Sequence, residues 1–368
     1  MNKKIIFFAP NIEDGGIEKN ILLLANYFIS QNREVEIIYS KISNKIKGKL
    51  NRKILLTRSN IKINIPIFND RINNSIKSFI YLLIKFNFNK FDKILSFQDH
   101  PFAIFTSIIK NKKCIIRIAN HPIGSLKYFN SKINFLLKFF IKIFFYQFAS
   151  LIISNSKEST KCLKKFIIFK KKCISIYNPI NLTKKKNKIL KRKNYLISIG
   201  RLEKQKNFSM LIKAFRIVLK NFPNFKLVII GKGREKKKLL LDIRKYNLNK
   251  NVKILDFRNP YKFYENAKLF ILSSYFEGLP NVLLEAMSYK LPIVSSNCLS
   301  GPKEILKDGK YGYLFKVNDV NDCSKKIQTA LKNYKKSKNM ANKGFQNLRN
   351  LTNEGQCEKY LSYLDNLF

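Results

Sequence analysis

Short apolar runs of strand length alternate with helix-length stretches along all 368 residues of this chain. That alternation restricts the fold to βαβ units and parallel sheets. In the first half the runs fall at Lys4–Ala9, Val35–Tyr39, Ile94–Phe97, Cys114–Ile118, Leu151–Ser154 and Cys173–Tyr177. A second series follows at Tyr195–Gly200, Leu227–Gly231, Val252–Leu255, Leu269–Ser273 and Ile293–Ser296. Between the two series Asn181–Lys193 is polar and basic with no core face, the pattern of a linker. A chain of this length exceeds one comfortable core, so the expectation is two α/β, Rossmann-like domains that bind ligands at the carboxyl ends of their strands. The boundaries expected are 1–182 for the first domain, 183–193 for the linker, 194–350 for the second domain and 351–368 for a terminal segment.

Charge is the compositional oddity: 72 Lys and Arg face 23 Asp and Glu, a formal net charge of +49. Basic proteins bind phosphate backbones through counterion release. Here the cations are scattered among abundant Asn and Ile, and no helix-turn-helix, zinc-finger or RNP-like pattern appears, so no nucleic-acid partner is expected. Such scatter is the footprint of an AT-rich genome, although a positive face would still be attracted to an anionic membrane, by about 1 kcal/mol per nearby cation. The six cysteines have no C-x-x-C spacing and read as reduced cytosolic thiols. Ile5–Ala9, following Lys3 and Lys4, is too short for a signal-peptide core and reads as a first strand. The apolar stretch Ile133–Ile153 is interrupted by Lys138 and Lys142, which argues against a membrane span. Two readings stay open for it, a core helix of the first domain or an interfacial helix with lysines at headgroup level; Ile76–Phe91, also rich in aromatics and Lys, could share the same face.

Three constellations carry chemistry. In Ser274–Ser288 a Gly278-Leu279-Pro280 turn separates Glu277 from Glu285 and opens a helix near Asn281, because Pro has no N–H to lose at a helix start. Such a helix end attracts anions, and Asn281, Glu285 and Ser288 form a polar stripe at i, i+4 and i+7. In Ile199–Asn207 a strand ends at Gly200 and is followed by Arg201 and Lys206; Arg suits paired phosphate oxygens, and Lys acts as a point charge. In Asn11–Glu18 the paired Gly15 and Gly16 let backbone approach a ligand where a helix begins. The two histidines, His100 and His121, each follow a strand at its carboxyl end.

These elements, in this order, resemble the retaining glycosyltransferases of glycosyltransferase family 4, and the resemblance covers nearly the whole chain. Ser274–Ser288 is similar to their E-x7-E region, Gly200–Lys206 to their G-R-L-x-x-x-K element and Gly15–Glu18 to their G-G-x-E loop. The resemblance implies the GT-B fold, two facing Rossmann-like domains with an interdomain cleft, and a last helix (Gln356–Phe368) that packs back on the first domain. By the same resemblance Arg201 and Lys206 hold the diphosphate of a nucleotide-sugar donor, Gly16 and the Gly278–Asn281 turn line its site, Glu277 orients the sugar and Glu285 binds the ribose. His121 stands where many relatives carry a histidine close to the reacting sugar; Arg117 with Asn120 would be the equivalent of one branch. Phe257-Arg258-Asn259 occupies the place of the base-binding backbone, while Cys298–Ile305 forms a structural loop behind the pocket, with Glu304 available to order it. Glycines 231 and 233 serve the turn and close packing. No metal or other cofactor is implied, and no D-x-D sequence occurs.

The implied reaction is retaining hexosyl or N-acetylhexosaminyl transfer, from a UDP-sugar before GDP-mannose, to a saccharide or lipid-linked acceptor in bacterial cell-surface glycan assembly. Its expected place is the cytoplasm, peripheral on the inner face of the membrane. Two readings compete with it: a sugar-nucleotide epimerase, which needs no acceptor, and a nonenzymatic polyanion-binding protein, which would explain only the charge.

Overall fold

A computed structural model describes residues 4–13, 15–90, 92–124, 132–179, 192–256, 260–348 and 353–367. The chain divides into two compact units, Met1–Pro179 with Asn353–Phe368, and Ile180–Thr352. Most of the linker expected at 183–193, and the Phe257–Asn259 turn, lie outside the described residues.

The first unit is built on a sheet of β1 (Ile5–Phe8), β2 (Val35–Tyr39), β3 (Leu55–Arg58), β4 (Lys93–Ser96), β5 (Lys113–Ile118), β6 (Leu151–Ser154) and β7 (Cys173–Ser175). Its seven strands lie in the order β3-β2-β1-β4-β5-β6-β7, every pair parallel. Strands buried on both faces read as continuous apolar runs, which explains why most were visible in the sequence. Phe7 pairs with Ile37 and Leu95 and points into one core, whereas Phe8 and its partner Ile38 point into the other. The first core is closed by α1 (Gly16–Ser30), through Ile21, Leu24, Ala25 and Phe28 at helical spacing. On the opposite side lie α2 (Asp70–Ile80), α3 (His100–Ile109) and α4 (Lys132–Tyr146), with Ala103 and Ile104 of α3 and Phe139, Ile143 and Tyr146 of α4 in the second core.

The final helix, Asn353–Asp365, packs on the first core through Cys357, Tyr360 and Leu364. Three cations of the first unit hold it. Lys93 Nζ donates to the carbonyl of Leu364, Arg117 Nε to Tyr360 Oη at 3.1 Å, and Arg33 pairs with Asp365 at 2.7 Å.

The second unit carries β8 (Tyr195–Ile199), β9 (Lys226–Ile230), β10 (Val252–Leu255), β11 (Leu269–Leu272), β12 (Ile293–Ser296) and β13 (Tyr313–Phe315). These six parallel strands are ordered β10-β9-β8-β11-β12-β13. α5 (Phe208–Asn221) covers the sheet with Leu211, Ala214, Phe215 and Val218, while α6 (Tyr261–Asn266) and α7 (Asn281–Ser288) flank the strand β11. In each unit the strand order reverses beside the first strand, at β1/β4 and at β8/β11, and such switch points open a crevice at the carboxyl edge of the sheet.

Within these two large sheets, β3 and β13 escape a reading of apolar runs. β3 is an exposed edge with a Leu-Leu-Thr-Arg sequence, and β13 is three residues long and follows a glycine turn; each is defined by the neighbour it pairs with. The linker also ends earlier than expected. Arg192 donates from Nη1 to the carbonyls of Tyr264 (3.1 Å) and Ala267 (3.0 Å), and from Nη2 to those of Tyr289 (2.8 Å) and Lys290 (3.2 Å). One guanidinium thus satisfies carbonyls at the ends of α6 and α7, groups that no intrahelical N–H can reach. Sequence shows only one more cation in a basic run.

Candidate active site

Because β8 and β11 are adjacent and parallel, the loops that follow them leave the same edge of the sheet. The first loop starts at Gly200, makes a 3-10 turn over Lys204–Lys206 and enters α5 through Asn207, whose φ of 51° is left-handed. The second runs from Ser273 to Pro280 and enters α7. Three hydrogen bonds strap them together: Tyr275 N–H to the carbonyl of Gln205 (2.9 Å), Gln205 Nε2 to that of Phe276 (2.8 Å), and Ser273 Oγ to that of Lys206 (2.7 Å). Across this seam Lys206 Nζ lies 2.5 Å from Glu277 Oε1, with the side chains only 14% and 6% exposed. Ser274 Oγ donates to the same carboxylate oxygen at 2.6 Å. The stem of Lys206 runs over Gly200, where a Cβ would stand 3.1 Å from Lys206 Cε, so glycine at this strand end makes room for the cation. Arg201 is exposed and forms no ion pair among the described residues.

The Glu277–Pro280 turn is backed by the loop after β12. Phe276 bridges Leu299, Glu277 N–H donates to the carbonyl of Leu299 (3.1 Å), and Ser300 Oγ donates to that of Gly278 (3.0 Å). Gly301, at φ +89°, packs so closely that a Cβ would meet Gly278 O at 2.5 Å and Pro280 Cδ at 2.6 Å. Gly231 and Gly233 likewise admit the loop after β8, with added Cβ atoms 1.9 Å from Gly200 O and 2.4 Å from Leu202 O. Leu279 is buried beneath the turn.

α7 begins at Asn281, as the Pro280 argument requires, and buries Leu283, Leu284, Ala286 and Met287. Glu285 is on its less buried side. There Tyr264 Oη donates to Glu285 Oε2 at 3.1 Å and lies 3.4 Å from the carbonyl of Val282, and its ring stacks on Tyr289 with centroids 5.6 Å apart. Burial first, and then the Glu285 charge, push the Tyr264 hydroxyl well above its ordinary range, which keeps it a proton donor. Ser274, Gln205, Tyr264 and Arg192 were not singled out from sequence. Only Ser274, three residues before Glu277, carried a local signal.

In the first unit the switch point is closed by Asn11 and Gln98, which exchange backbone and side-chain hydrogen bonds of 3.1 and 2.7 Å. Gly15 caps α1, and its missing Cβ would stand 2.4 Å from Glu18 Oε2; Gly16 is the first helical residue. Burial raises the Glu18 carboxyl above its ordinary pKa. His121, 8% exposed after β5, has its pKa pushed down to about 4 by burial, so its imidazole is neutral. Its Nδ1 is buried without a hydrogen-bond partner among the described residues, and the same holds for Oδ1 of Asn155, which follows the adjacent strand β6 and donates from Nδ2 to the carbonyl of Ala119 (2.8 Å). Asn155 is the residue at this edge that sequence reasoning passed over. Arg117, fully buried, is engaged by Tyr360 and Asn178 and locks the final helix. His100 is held at Nδ1 by Ser96 Oγ (2.9 Å) and packs edge-on to Tyr146; burial, then the Lys142 and Arg117 charges, push its pKa down to about 3.

Among the described residues no three His, Cys, Asp or Glu side chains converge as metal ligands, and all six cysteines are unpaired. The donor set at the second unit's switch point is instead suited to an anion bearing hydroxyls: two cations, a helix start and two carboxylates.

Two Rossmann-like sheets in one chain give the protein the GT-B fold. The model of the "Glycosyl transferases group 1" family matches residues 180–347. An uncharacterized glycosyltransferase of Methanocaldococcus jannaschii is 36% identical over 246 residues, 59% of this chain and 60% of that protein, so the match spans less than two thirds of this relative. The N-acetylgalactosamine-N,N'-diacetylbacillosaminyl-diphospho-undecaprenol 4-alpha-N-acetylgalactosaminyltransferase of Campylobacter jejuni is 33% identical over 248 residues, 66% of this chain and 67% of that one. In fold, a Staphylococcus aureus TarM mutant crystallised with fondaparinux, alpha-GlcNAc-glycerol and UDP superposes with a TM-score of 0.80 at 16% identity, covering 98% of this chain and 99% of that one. The chain belongs to the group 1 glycosyl transferases.

Proposed function

We propose that this protein transfers a hexosyl or N-acetylhexosaminyl unit from a nucleoside diphosphate sugar, with UDP as the favoured nucleotide, to a saccharide or lipid-linked acceptor in bacterial surface-glycan assembly. The observation that carries the reading is the Lys206–Glu277 contact at the β8/β11 switch point. A cation for the diphosphate and a carboxylate for the sugar hydroxyls stand side by side, as a donor with its phosphate next to its anomeric carbon demands. The UDP bound to the fold relative and the undecaprenol-linked acceptor in the sequence relative's name support the donor and acceptor classes.

In this reading Arg201, Lys206 and the start of α7 at Asn281 stabilise the charge that develops on the leaving diphosphate. The Gly278–Pro280 turn lines the donor. Glu277 orients the sugar, and Glu285, fixed by Tyr264, binds the ribose hydroxyls. The anomeric C–O(phosphate) bond breaks while the acceptor oxygen bonds to the same face of that carbon. The acceptor's proton passes to the departing phosphate oxygen, so configuration is retained and no strong protein base is needed. His121, neutral at pH 7, is suited to hydrogen-bonding a neutral hydroxyl group. Charge neutralisation by fixed cations makes the reaction metal-independent, and its place of work is the cytoplasmic face of the membrane.

The test is release of free nucleoside diphosphate from a panel of UDP- and GDP-sugars in EDTA, with and without a detergent-solubilised lipid extract, together with product anomer analysis. Extract-dependent release from one donor, abolished in Glu277→Ala, is the expected result. Release that needs no acceptor and yields an epimerised sugar nucleotide would overturn the transferase reading.

A further inference from the structure

We infer that the first unit docks on an anionic lipid bilayer through the outer face of α4 and the adjoining segment 164–172. α4 is apolar on two opposite sides. Phe139, Ile143 and Tyr146 enter the core, while Leu137, Phe140, Ile141 and Phe144 lie on the other side at i, i+3, i+4 and i+7, with Leu137, Phe140 and Phe144 each more than 60% exposed. The stripe continues into Phe148, whose ring lies 5.4 Å from that of Phe144. Segment 164–172 is held against the helix by Gln147, which donates from Nε2 to the carbonyl of Phe166 (2.9 Å) and accepts at Oε1 from Ile168 N–H (3.0 Å). This segment presents Ile168 and Phe169, 75% and 58% exposed. Aromatic and aliphatic tips on two elements thus form a patch larger than scattered surface residues explain.

An apolar stripe alone would suit a helix of another protein equally well. Its charge surroundings select the bilayer. Glu158 is the only acidic residue between Asp99 and Glu203, so the elements carrying the patch have almost nothing to oppose their lysines. Lys142, Lys164, Lys165 and Lys170 are exposed beside the stripe, and Lys172 Nζ sits 4.8 Å from the centre of the Phe169 ring. Lysines whose stems follow apolar surface while their ammonium groups reach headgroup level, around phenylalanines that enter the acyl boundary, form the pattern of an in-plane interfacial helix. No described helix is long and apolar enough to cross a membrane. This inference rests on the proposed membrane-side acceptor only for its purpose, since docking requires no donor.

The experiment is flotation of the full chain, without donor or acceptor, with phosphatidylcholine vesicles containing or lacking phosphatidylglycerol, and with soluble oligomeric state measured in parallel. The wild type is expected to float with the anionic vesicles and to be released by high salt. Phe140→Ser combined with Phe144→Ser, both exposed and so compatible with folding, is expected to weaken binding at least about tenfold by removing the inserted rings. The pair's donor-dependent release from the detergent-solubilised extract should match wild type, which separates failure of docking from failure of catalysis. Equal flotation of wild type and variant would overturn the proposal. So would no vesicle binding together with a self-association that the two serines abolish, which would make the face a contact between copies.

Discussion

Removing both charges of the Lys206–Glu277 pair should destabilise the second unit by less than the sum of the losses from removing each alone. Lys206→Met keeps the apolar stem over Gly200 but leaves a carboxylate 6% exposed, with Ser274 Oγ still donating to it; Glu277→Gln strands an ammonium group 14% exposed. Breaking a buried pair from one side costs about 3–5 kcal/mol, because the survivor stays desolvated without its counter-charge. For a unit of this size 1 kcal/mol moves Tm by about 2–4 °C, so each single variant should lower the Ile180–Thr352 transition by roughly 6–20 °C in differential scanning calorimetry. In the double variant Ser274 can still hydrogen-bond the new amide and no charge is buried alone. Its loss should therefore fall below the sum of the two by up to about 3 kcal/mol of coupling. Strictly additive losses, or single-variant shifts under about 2 °C, would refute a desolvated pair at this seam.

Tyr264→Phe should weaken UDP binding roughly 3–10-fold, on the order of 1 kcal/mol, with turnover at saturating donor unchanged; calorimetric titration set against kcat checks this. The folded-state pKa of His121, about 4, lies below the ordinary 6.5, so between those values the unfolded chain takes up a proton that the folded chain refuses. Stability present above pH 6.5 is accordingly lost as the pH falls toward 4, by an amount on the order of 3 kcal/mol for this group, and His121→Gln should flatten that limb in urea denaturation. Gly301→Ala should lower Tm and UDP affinity more than Gly309→Ala does. Both glycines have positive φ, but only at Gly301 does the added methyl strike the Gly278–Pro280 turn, the nearest atom at Gly309 being 3.6 Å away.

The alternation of apolar runs by itself determined two parallel-sheet units, because strands buried on both faces must be continuously apolar and helices between them cannot be. The motifs by themselves placed Arg201, Lys206 and Glu277 in turns at strand ends and Glu285 within the helix that follows, since Gly200 and Pro280 leave few other local conformations. Only the tertiary structure decided which of these side chains meet. Lys206 and Glu277 are 71 residues apart and touch because β8 and β11 are neighbours, an order set by long-range pairing that no local pattern encodes. It also decided which cations are structural. Arg192 looks in sequence like any other of the 72 basic residues, and Arg117 reads there as a site residue, yet Arg117 holds the final helix and Arg192 gathers four helix-end carbonyls. Finally, it divided α4 into a core side and a bare apolar side: hydrophobic periodicity reports how many sides of a helix avoid water, and only packing reports which of them the protein itself covers.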